Sequence, residues 1–255
     1  MSHIASPHNP RLKAVRRLHT RRERARTGSF LAEGEDLIAA AARAGRAPLA
    51  GYRLTGSGLG GEDFHDVERS ALASVSALGS GTRVIGVYEQ RWCAPEGPLC
   101  VYLHGVRDPG NIGTVLRSAH AFGASCVALG PGCADPHSPK AVRASMGAIF
   151  DVALARVGDV GELPGERIAL AAGAPEPLRP APGPVTLLVG GERDGLPAEL
   201  LDACGRSARI PISSDSLNAA MAATVALYEM TRNASHATSP AGAPTRGHTS
   251  RVPAS

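Results

Sequence analysis

DPGNIGTVLRSAHAFGA, at residues 108–124, closely follows the apolar run LCVYLHG at residues 99–105. The run is typical of a buried strand, Pro-Gly interrupts it, and Asn111 stands where a helix N-cap is expected. Arg117 lies off the apolar face of the predicted helix, so we expect its guanidinium to reach a pocket at the strand ends. That apolar face consists of Ile112, Val115, Leu116, Ala119 and Phe122.

The same alternation of strand and helix continues through residues 99–233. Apolar runs predict strands at 99–105, 125–130, 151–157, 167–172, 185–190 and 208–212. Helical spacing predicts helices at 111–122, 138–148, 197–203 and 217–232. Strands that alternate with helices in this way form a mostly parallel sheet, so the sequence predicts an α/β domain.

Residues 1–90 are predicted to form a separate, small α/β domain. Alternating apolar residues predict strands at 30–33 and 82–88. Helical spacing predicts helices along the segment that holds Leu12, Val15 and Leu18, from Asp36 to Ala44, and over 65–78 with Val67, Leu72, Val75 and Leu78 inward. Because strands and helices alternate here too, a mostly parallel sheet is expected.

Two segments have the composition of connecting or unstructured chain. RWCAPEGP at residues 91–98 reads as a linker between the two domains. From Ala234 to Ser255 the chain is rich in Ser, Thr, Ala, Pro and Gly and has no periodicity. We expect this tail to be disordered.

Basic residues are concentrated near the start of the chain. Between Arg11 and Arg26 there are eight Lys or Arg residues and one acid, Glu23, whereas the whole chain of 255 residues has a net charge of only +4. Such a density favours contact with a polyphosphate, because each neutralised phosphate releases counterions. A solvated basic helix face is the alternative. The residues that we expect to contact the polyphosphate are Arg11, Lys13, Arg16, Arg17, Arg21 and Arg22.

Composition and motifs argue against several classes of protein. No apolar run approaches the roughly 18 residues of a membrane span, and the first residues lack the apolar segment of a secretory signal. The five cysteines form no C-x-x-C pair, and no histidine cluster has metal-ligand spacing. We therefore expect a reducing, cytoplasmic location and no metal site. A nucleotide-binding oxidoreductase is disfavoured, because no G-x-G-x-x-G unit opens the predicted α/β domain.

Three further segments place polar residues where predicted strands end. HSPKAVRASMGAIFDV at 137–152 is a predicted helix that leads into a strand, with Lys140 and Arg143 near its start. LLVGGERDGLP at 187–197 is a buried strand that enters a glycine-rich turn. IPISSDSLNAAMAATVALYE at 210–229 is a strand end, a polar loop and a helix. Taken singly, such turns are as often structural as functional.

Taken in order, the four segments resemble the SpoU/TrmH family of RNA ribose 2′-O-methyltransferases, within the SPOUT superfamily. The resemblance covers residues 99–232. Its motifs are the segments Asp108 to Ser118, Lys140 to Gly147, Gly190 to Leu196, and Ile210-Pro211 followed by Ser216-Leu217-Asn218. At the front of the chain, SPHNPRLKAVRRL at 6–18 and FLAEGEDLIAAA at 30–41 resemble the basic, ribosomal-protein-like RNA substrate-binding domain of many members.

The resemblance implies a fold, a cofactor and an assembly. The fold would be a parallel-sheet SPOUT domain with a C-terminal trefoil knot, preceded by a small α/β RNA-binding domain. The cofactor would be S-adenosylmethionine, and two subunits would pack as a homodimer to complete each site. The cofactor-binding residues carried over from the family are Gly190, Glu192, Gly195, Ile210, Pro211 and Leu217. The catalytic residues carried over are Asn111, Arg117, Glu192, Ser216 and Asn218.

Arg117 matches the residue that the family is proposed to use to activate the ribose 2′-OH. A guanidinium stays protonated in proteins, so it is a poor literal base. We expect it instead to lower the pKa of the 2′-OH electrostatically and to hold the adjacent phosphate. Ser216 and Asn218 would position the ribose or the methionine end of the cofactor.

The resemblance makes structured RNA the expected substrate, with ribosomal RNA, and 23S in particular, favoured by the N-terminal domain. A transfer RNA methyltransferase is the first alternative. A family member that binds RNA with weak or lost activity is the second, because the loop at residues 212–215 is shorter than in the family and the helix after it begins NAAMA. Retention of the five catalytic residues argues against this second alternative. The sequence does not identify the target nucleotide.

Overall fold

The computed structural model of the chain describes residues 3–77, 81–214 and 216–232. These residues form a four-stranded sheet near the start of the chain, here called the smaller sheet, and a six-stranded sheet, here called the larger sheet. Leu78, which was predicted to face inward, and the predicted tail from Ala234 to Ser255 lie outside the described residues.

The smaller sheet has the strand order β1-β4-β2-β3. Its strands are β1 (Ser29–Glu33), β2 (Ala50–Leu54), β3 (Phe64–Val67) and β4 (Val84–Glu89). Its helices are α1 (Pro10–Arg17), α2 (Arg21–Thr27), α3 (Glu35–Arg43) and α4 (Arg69–Ala73). The prediction of a mostly parallel sheet is wrong here, because β4 inserts between β1 and β2 and runs antiparallel to both.

The helix predicted over 65–78 is also wrong in its first part. Phe64–Val67 is a strand that pairs in parallel with β2, and the helix spans only Arg69–Ala73. Strand β2 itself was not predicted. Pairing with a neighbouring strand decides such short segments, so local spacing alone misassigns them.

The larger sheet confirms the prediction of a parallel α/β domain. Its strands, in the order β10-β8-β9-β5-β6-β7, all run parallel. They are β5 (Leu99–His104), β6 (Cys126–Leu129), β7 (Ala153–Arg156), β8 (Glu166–Leu170), β9 (Val185–Gly190) and β10 (Arg206–Ala208). The helices are α5 (Pro109–Ala121), α6 (Pro139–Ala144), α7 (Ala198–Asp202) and α8 (Ala219–Thr231).

One predicted strand of the larger sheet and one predicted helix beside it end earlier than expected. The strand predicted at 208–212 ends at Ala208, and the polar segment after it leaves the sheet. The helix predicted at 138–148 ends at Ala144, since Met146 (φ 50°) and Gly147 (φ 97°) adopt left-handed backbone that stops a helix. A 3-10 turn at Ala148–Phe150 follows.

Helix α5 is capped by Asp108, which corrects the prediction that Asn111 is its N-cap. The Asp108 Oδ1 atom accepts hydrogen bonds from the backbone N–H of Gly110 at 2.5 Å and of Asn111 at 3.3 Å. Pro109 occupies the first helical position, where a missing N–H costs nothing. The Asn111 side chain is therefore available for contacts beyond its own helix.

The smaller sheet packs against α6 and the 3-10 turn at Ala148–Phe150, which precede β7 of the larger sheet. Phe30 and Tyr88 of the smaller sheet contact the ring of Phe150, with ring centroids 5.9 Å and 4.9 Å away. Arg24 of α2 is only 3% exposed and forms an ion pair of 2.7 Å with Asp135, which lies in the loop after β6. These contacts hold α2 beside the loops that follow the larger sheet's strands.

Within the described ranges, no helix has the length and apolar character needed to cross a membrane. The same residues contain no group of three or more His, Cys, Asp or Glu side chains that could hold a metal ion.

Replacing Arg24 with alanine should destabilise the protein by about 3–5 kcal/mol, because the change leaves the mostly buried carboxylate of Asp135 unpaired. Urea unfolding followed by circular dichroism measures the effect. Arg22→Ala on the same helix is the matched control, and its exposed side chain predicts a change within about 0.5 kcal/mol. Equal unfolding midpoints for the two variants would contradict the role assigned to the ion pair.

Candidate active site

A cavity of about 380 Å³ opens at the edge of the larger sheet where its strands end. Ligands of parallel α/β sheets bind at this edge, outside the carboxyl ends of the strands. Of the residues predicted to bind cofactor, those that line this cavity are Gly190, Glu192, Gly195, Ile210 and Leu217. Ser216, predicted to be catalytic, lines it too, whereas Pro211 is not among the lining residues. We call this space the candidate cavity.

The glycine-rich turn after β9 is folded tightly upon itself. The Gly195 N–H donates to the Gly191 carbonyl at 3.0 Å, and Gly195 has a left-handed φ of 64°. A Cβ at Gly190 would overlap the backbone of Gly195 and Leu196. Only glycine therefore fits at position 190, where the backbone of the turn can approach a ligand closely.

Three of the predicted catalytic residues form a chain of hydrogen bonds, here called the polar chain. The Asn218 Nδ2 atom donates to Asn111 Oδ1 at 3.2 Å, and Asn111 Nδ2 donates to a carboxylate oxygen of Glu192. These residues come from three separate motifs, at the starts of α8 and α5 and in the turn after β9. The fold thus joins them beside the candidate cavity.

Asn218 has a second role, as the N-cap of α8. Its Oδ1 atom accepts hydrogen bonds from the backbone N–H of Ala220 at 2.9 Å and of Met221 at 3.3 Å. A hydrogen bond of 2.6 Å between the hydroxyls of Ser118 and Thr224 ties α5 to α8 further along. The orientation of the Asn218 amide is fixed by the helix that it caps.

An ion pair that the sequence analysis did not assign to the site fixes the start of α5. Lys140 Nζ donates to Asp108 Oδ2 at 2.8 Å, and this hydrogen bond lowers the pKa of Asp108 below its ordinary value. Asp108 thereby joins the start of α6 to the helix that carries Asn111. The sequence signal that could have identified Asp108 is its place directly before Pro-Gly, because aspartate is a favoured N-cap.

Arg117 is not brought into the candidate cavity within this chain. It is an exposed residue of α5 and makes no ion pair or hydrogen bond within the part of the chain that the structure describes. It lies about 9 Å along the helix from Asn111 at 1.5 Å per residue, and it is not among the residues that line the candidate cavity. Its assignment as a catalytic residue stays a prediction.

The comparison with known proteins decides the family. A sequence model of the SpoU rRNA Methylase family matches residues 98–228, and one of the MRM3-like substrate binding domain matches residues 9–52. The chain belongs to the SpoU rRNA methylase family. The resemblance found in its motifs is therefore confirmed, while the exact domain boundaries stay a prediction.

Two named relatives of this SpoU family chain methylate ribosomal RNA. It is 30% identical over 250 residues to the 23S rRNA (guanosine(2553)-2′-O)-methyltransferase RlmP of Bacillus subtilis, covering 90% of this chain and 99% of the relative. It is 37% identical over 140 residues to the 23S rRNA (uridine(2479)-2′-O)-methyltransferase of Streptomyces viridochromogenes, covering 49% of each.

Solved structures of SpoU-type enzymes share the fold. The AdoMet-bound rRNA methyltransferase of Sinorhizobium meliloti matches with a TM-score of 0.81 and 31% identity, over 91% of this chain and 98% of that one. The SpoU methyltransferase AviRb of Streptomyces viridochromogenes, in complex with AdoMet, matches with a TM-score of 0.79 and 26% identity, over 89% and 98%. The predicted fold class is confirmed, and the trefoil knot stays a prediction.

The basic residues of this SpoU family chain do not all serve one purpose. All six residues predicted to contact RNA are exposed on α1 or α2. Arg16 also donates to the Ser74 hydroxyl at 3.1 Å, so it braces α1 against the residues after α4. Arg24, from the same basic segment, is buried where α2 meets the loop after β6. Burial, which charge density alone does not reveal, separates structural from surface arginines.

Two substitutions of Asn218 should separate its capping role from its place in the polar chain. Asn218→Ala loses the cap and should cost about 1 kcal/mol of stability. Asn218→Asp keeps a capping oxygen and should unfold close to the wild type, although it loses the N–H that donates to Asn111. Urea midpoints measure both. A large loss of stability in Asn218→Asp would show that the polar chain, rather than the cap, stabilises the fold.

Proposed function

We propose that this chain transfers a methyl group from S-adenosylmethionine to a ribose 2′-OH of structured RNA, with 23S ribosomal RNA as the favoured substrate. The observation that carries the proposal is the polar chain from Asn218 through Asn111 to Glu192, set beside the glycine-lined candidate cavity. Membership of the SpoU family supports the reaction. The activities of the two relatives named above support the substrate class.

The candidate cavity suits a nucleoside-containing cofactor. Its volume of about 380 Å³ falls in the range of small-molecule sites. Ile210 and Leu217 offer apolar contacts for a flat base, and the turn from Gly190 to Gly195 offers backbone donors and acceptors at close range. When bound there, S-adenosylmethionine would supply an electrophilic methyl group on a positively charged sulfur.

The residues around the cavity would align and polarise the reactants. Glu192 places a negative charge at the cavity, where it favours a cationic ligand group. Asn111 and Asn218 hold that carboxylate in place and leave little reorganisation for the reaction itself. Arg117 would stabilise charge that develops on the 2′-oxygen and bind the neighbouring phosphate.

The RNA would be held first by the basic helices α1 and α2. Their exposed cations offer contacts to the phosphate backbone, and such contacts position an RNA without reading its sequence. The basic segment would therefore give the chain affinity for RNA in general. The choice of 23S ribosomal RNA over transfer RNA rests on the named relatives.

The reaction is tested with tritiated S-adenosylmethionine and an unmodified transcript of 23S ribosomal RNA. We expect the wild type to label the transcript and Arg117→Ala to lose labelling. Arg117→Ala should still bind S-adenosylmethionine in calorimetry, because Arg117 does not line the cavity, whereas Gly190→Ala should lose that binding. Gly183→Ala is the matched control, since a Cβ at Gly183 meets nothing within 4 Å.

The same assay separates the alternatives. Labelling of bulk transfer RNA instead of the 23S transcript would show that transfer RNA is the substrate class. If the wild type binds S-adenosylmethionine but labels neither RNA, a member with lost activity is the better description. Normal labelling by Arg117→Ala would show that another residue activates the 2′-OH.

We also propose that the chain works as a homodimer. Helix α8 buries small residues against α5 and β9, but it leaves Met221, Val225 and Tyr228 exposed by 58%, 40% and 53%. These residues recur at helical spacing and form one apolar stripe, which a second copy would cover. A second copy on this stripe would also explain why Arg117 does not reach the candidate cavity within one chain, because Arg117 would complete a site only in the dimer.

Val225→Glu should convert the dimer to a monomer, because it places a charge in the middle of the apolar stripe. Sedimentation equilibrium measures the mass of each form. Leu49→Glu is the matched control, since Leu49 is 63% exposed but belongs to the smaller sheet's side of the molecule. A monomeric wild type, or a dimer that survives Val225→Glu, would rule out this interface.

A further inference from the structure

A second cleft opens at the same edge of the larger sheet, beyond β5 on the side of β6 and β7. Its volume is about 330 Å³, and it lies between α2 and the ends of these strands. Arg21 and Gln90 line it from the N-terminal side, Trp92 from the connecting segment, and Arg156 from the end of β7. We call it the Trp92 cleft. Neither the polar chain nor the candidate cavity includes any of these residues.

The central feature of the Trp92 cleft is a stacked cation and ring. The guanidinium carbon of Arg156 lies 4.0 Å from the centroid of the Trp92 ring. The backbone fixes this stack, because Cys93 bridges to Ala155 and its N–H donates to the Leu154 carbonyl at 2.9 Å. Residues 91–93 therefore run along the outer edge of β7, and Trp92 comes to lie beside Arg156.

The Trp92 ring is held on its other side as well. Its centroid is 5.2 Å from that of His137, in an edge-to-face contact. His137 is almost fully buried, and burial lowers its pKa to about 4. At neutral pH the imidazole therefore packs against Trp92 without adding charge.

The cleft is positively charged. Neither Arg21 nor Arg156 forms an ion pair with a carboxylate in the described ranges, and both are exposed. The one acid among the described residues that line the cleft is Asp135, and Arg24 already neutralises it at 2.7 Å. The charge available to a ligand is thus that of two arginines, one on each side of the cleft.

The Trp92 cleft and the candidate cavity both adjoin a third cavity. This cavity, of about 270 Å³, lies between them. It shares Pro131 with the cleft, and Gly191, Asp194 and Gly195 with the candidate cavity. The three cavities therefore follow one another along the edge of the larger sheet, from the basic helix α2 to the glycine-rich turn after β9.

We propose that the Trp92 cleft binds one unpaired nucleotide of the RNA substrate, away from the nucleotide that is methylated. The base would stack on the outer face of the Arg156 guanidinium, and Arg21 would bind its phosphate. Guanidinium planes and aromatic rings accept unstacked RNA bases, and every base offers a face for stacking. The stack on Trp92 holds the guanidinium in place before the base arrives, which lowers the cost of binding. This inference rests on the proposal that RNA is the substrate.

Trp92 is the only tryptophan of the chain, so its own fluorescence reports on the cleft. The wild type is titrated with the unmodified 23S ribosomal RNA transcript, and binding is followed in parallel by filter retention. We expect the tryptophan emission to change with the same midpoint as retention. An emission that stays constant while the RNA is fully retained would overturn the proposal.

Substitutions then measure what each side chain contributes. Trp92→Ala and Arg156→Gln should each weaken RNA binding about tenfold, the loss expected when one stacked base is no longer held. Arg21→Gln should reduce the dependence of log Kd on log salt by about one, because Arg21 binds the phosphate, whereas Trp92→Phe should leave that slope unchanged. All four variants should bind S-adenosylmethionine like the wild type, which also shows that they are folded.

Arg179→Gln is the matched control for the loss of one charge. Its backbone carbonyl accepts from Arg206 at the start of β10, so it lies at the far corner of the larger sheet. We expect its RNA affinity to equal that of the wild type. If Arg156→Gln and Arg179→Gln bind equally well, the stack has only a structural role.

The two proposals fail in different ways. A wild type that methylates RNA, with cleft variants that bind RNA unchanged, would overturn the Trp92 cleft and leave the proposed function standing. A wild type that binds S-adenosylmethionine but neither retains nor labels RNA would overturn both.

Discussion

The larger sheet of this protein is parallel throughout, and this constraint organises everything else. Because all its strands point the same way, each loop that follows a strand emerges at the same edge. The turn after β9, the start of α5 after β5 and the end of β7 therefore share one side of the molecule. Residues as far apart in sequence as Asn111 and Asn218 meet there at 3.2 Å. The candidate cavity and the Trp92 cleft both follow from this arrangement.

Helix starts supply much of the site's chemistry. Asp108 caps α5, and Asn218 caps α8. Each of these side chains accepts hydrogen bonds from N–H groups at the start of its helix, which have no partner within the helix. The asparagine amide has a donor left over after capping, and this donor reaches Asn111. The Asp108 carboxylate has a second oxygen left over, which binds Lys140. The fold thus positions functional groups with the same hydrogen bonds that begin its helices.

Helix α2, in the N-terminal part of the chain, packs beside the edge of the larger sheet at which its strands end. Arg24 of α2 forms its ion pair with Asp135 in the loop after β6, whereas the neighbouring arginines Arg21 and Arg22 of α2 are exposed to solvent. A basic surface is therefore fixed on the side of the molecule that carries the candidate cavity.

The sequence by itself determined the parallel α/β class of the larger sheet, the family, and the choice of Asn111, Glu192 and Asn218 as candidate site residues, because strand and helix periodicity and the motif order are local properties. Only the tertiary structure decided the antiparallel pairing of β1, β2 and β4, the capping of α5 by Asp108, and the burial of Arg24. It also placed Arg117 outside the cavity and Arg156 on Trp92. Strand pairing and side-chain partners depend on contacts between residues remote in sequence, and local spacing carries no record of those contacts.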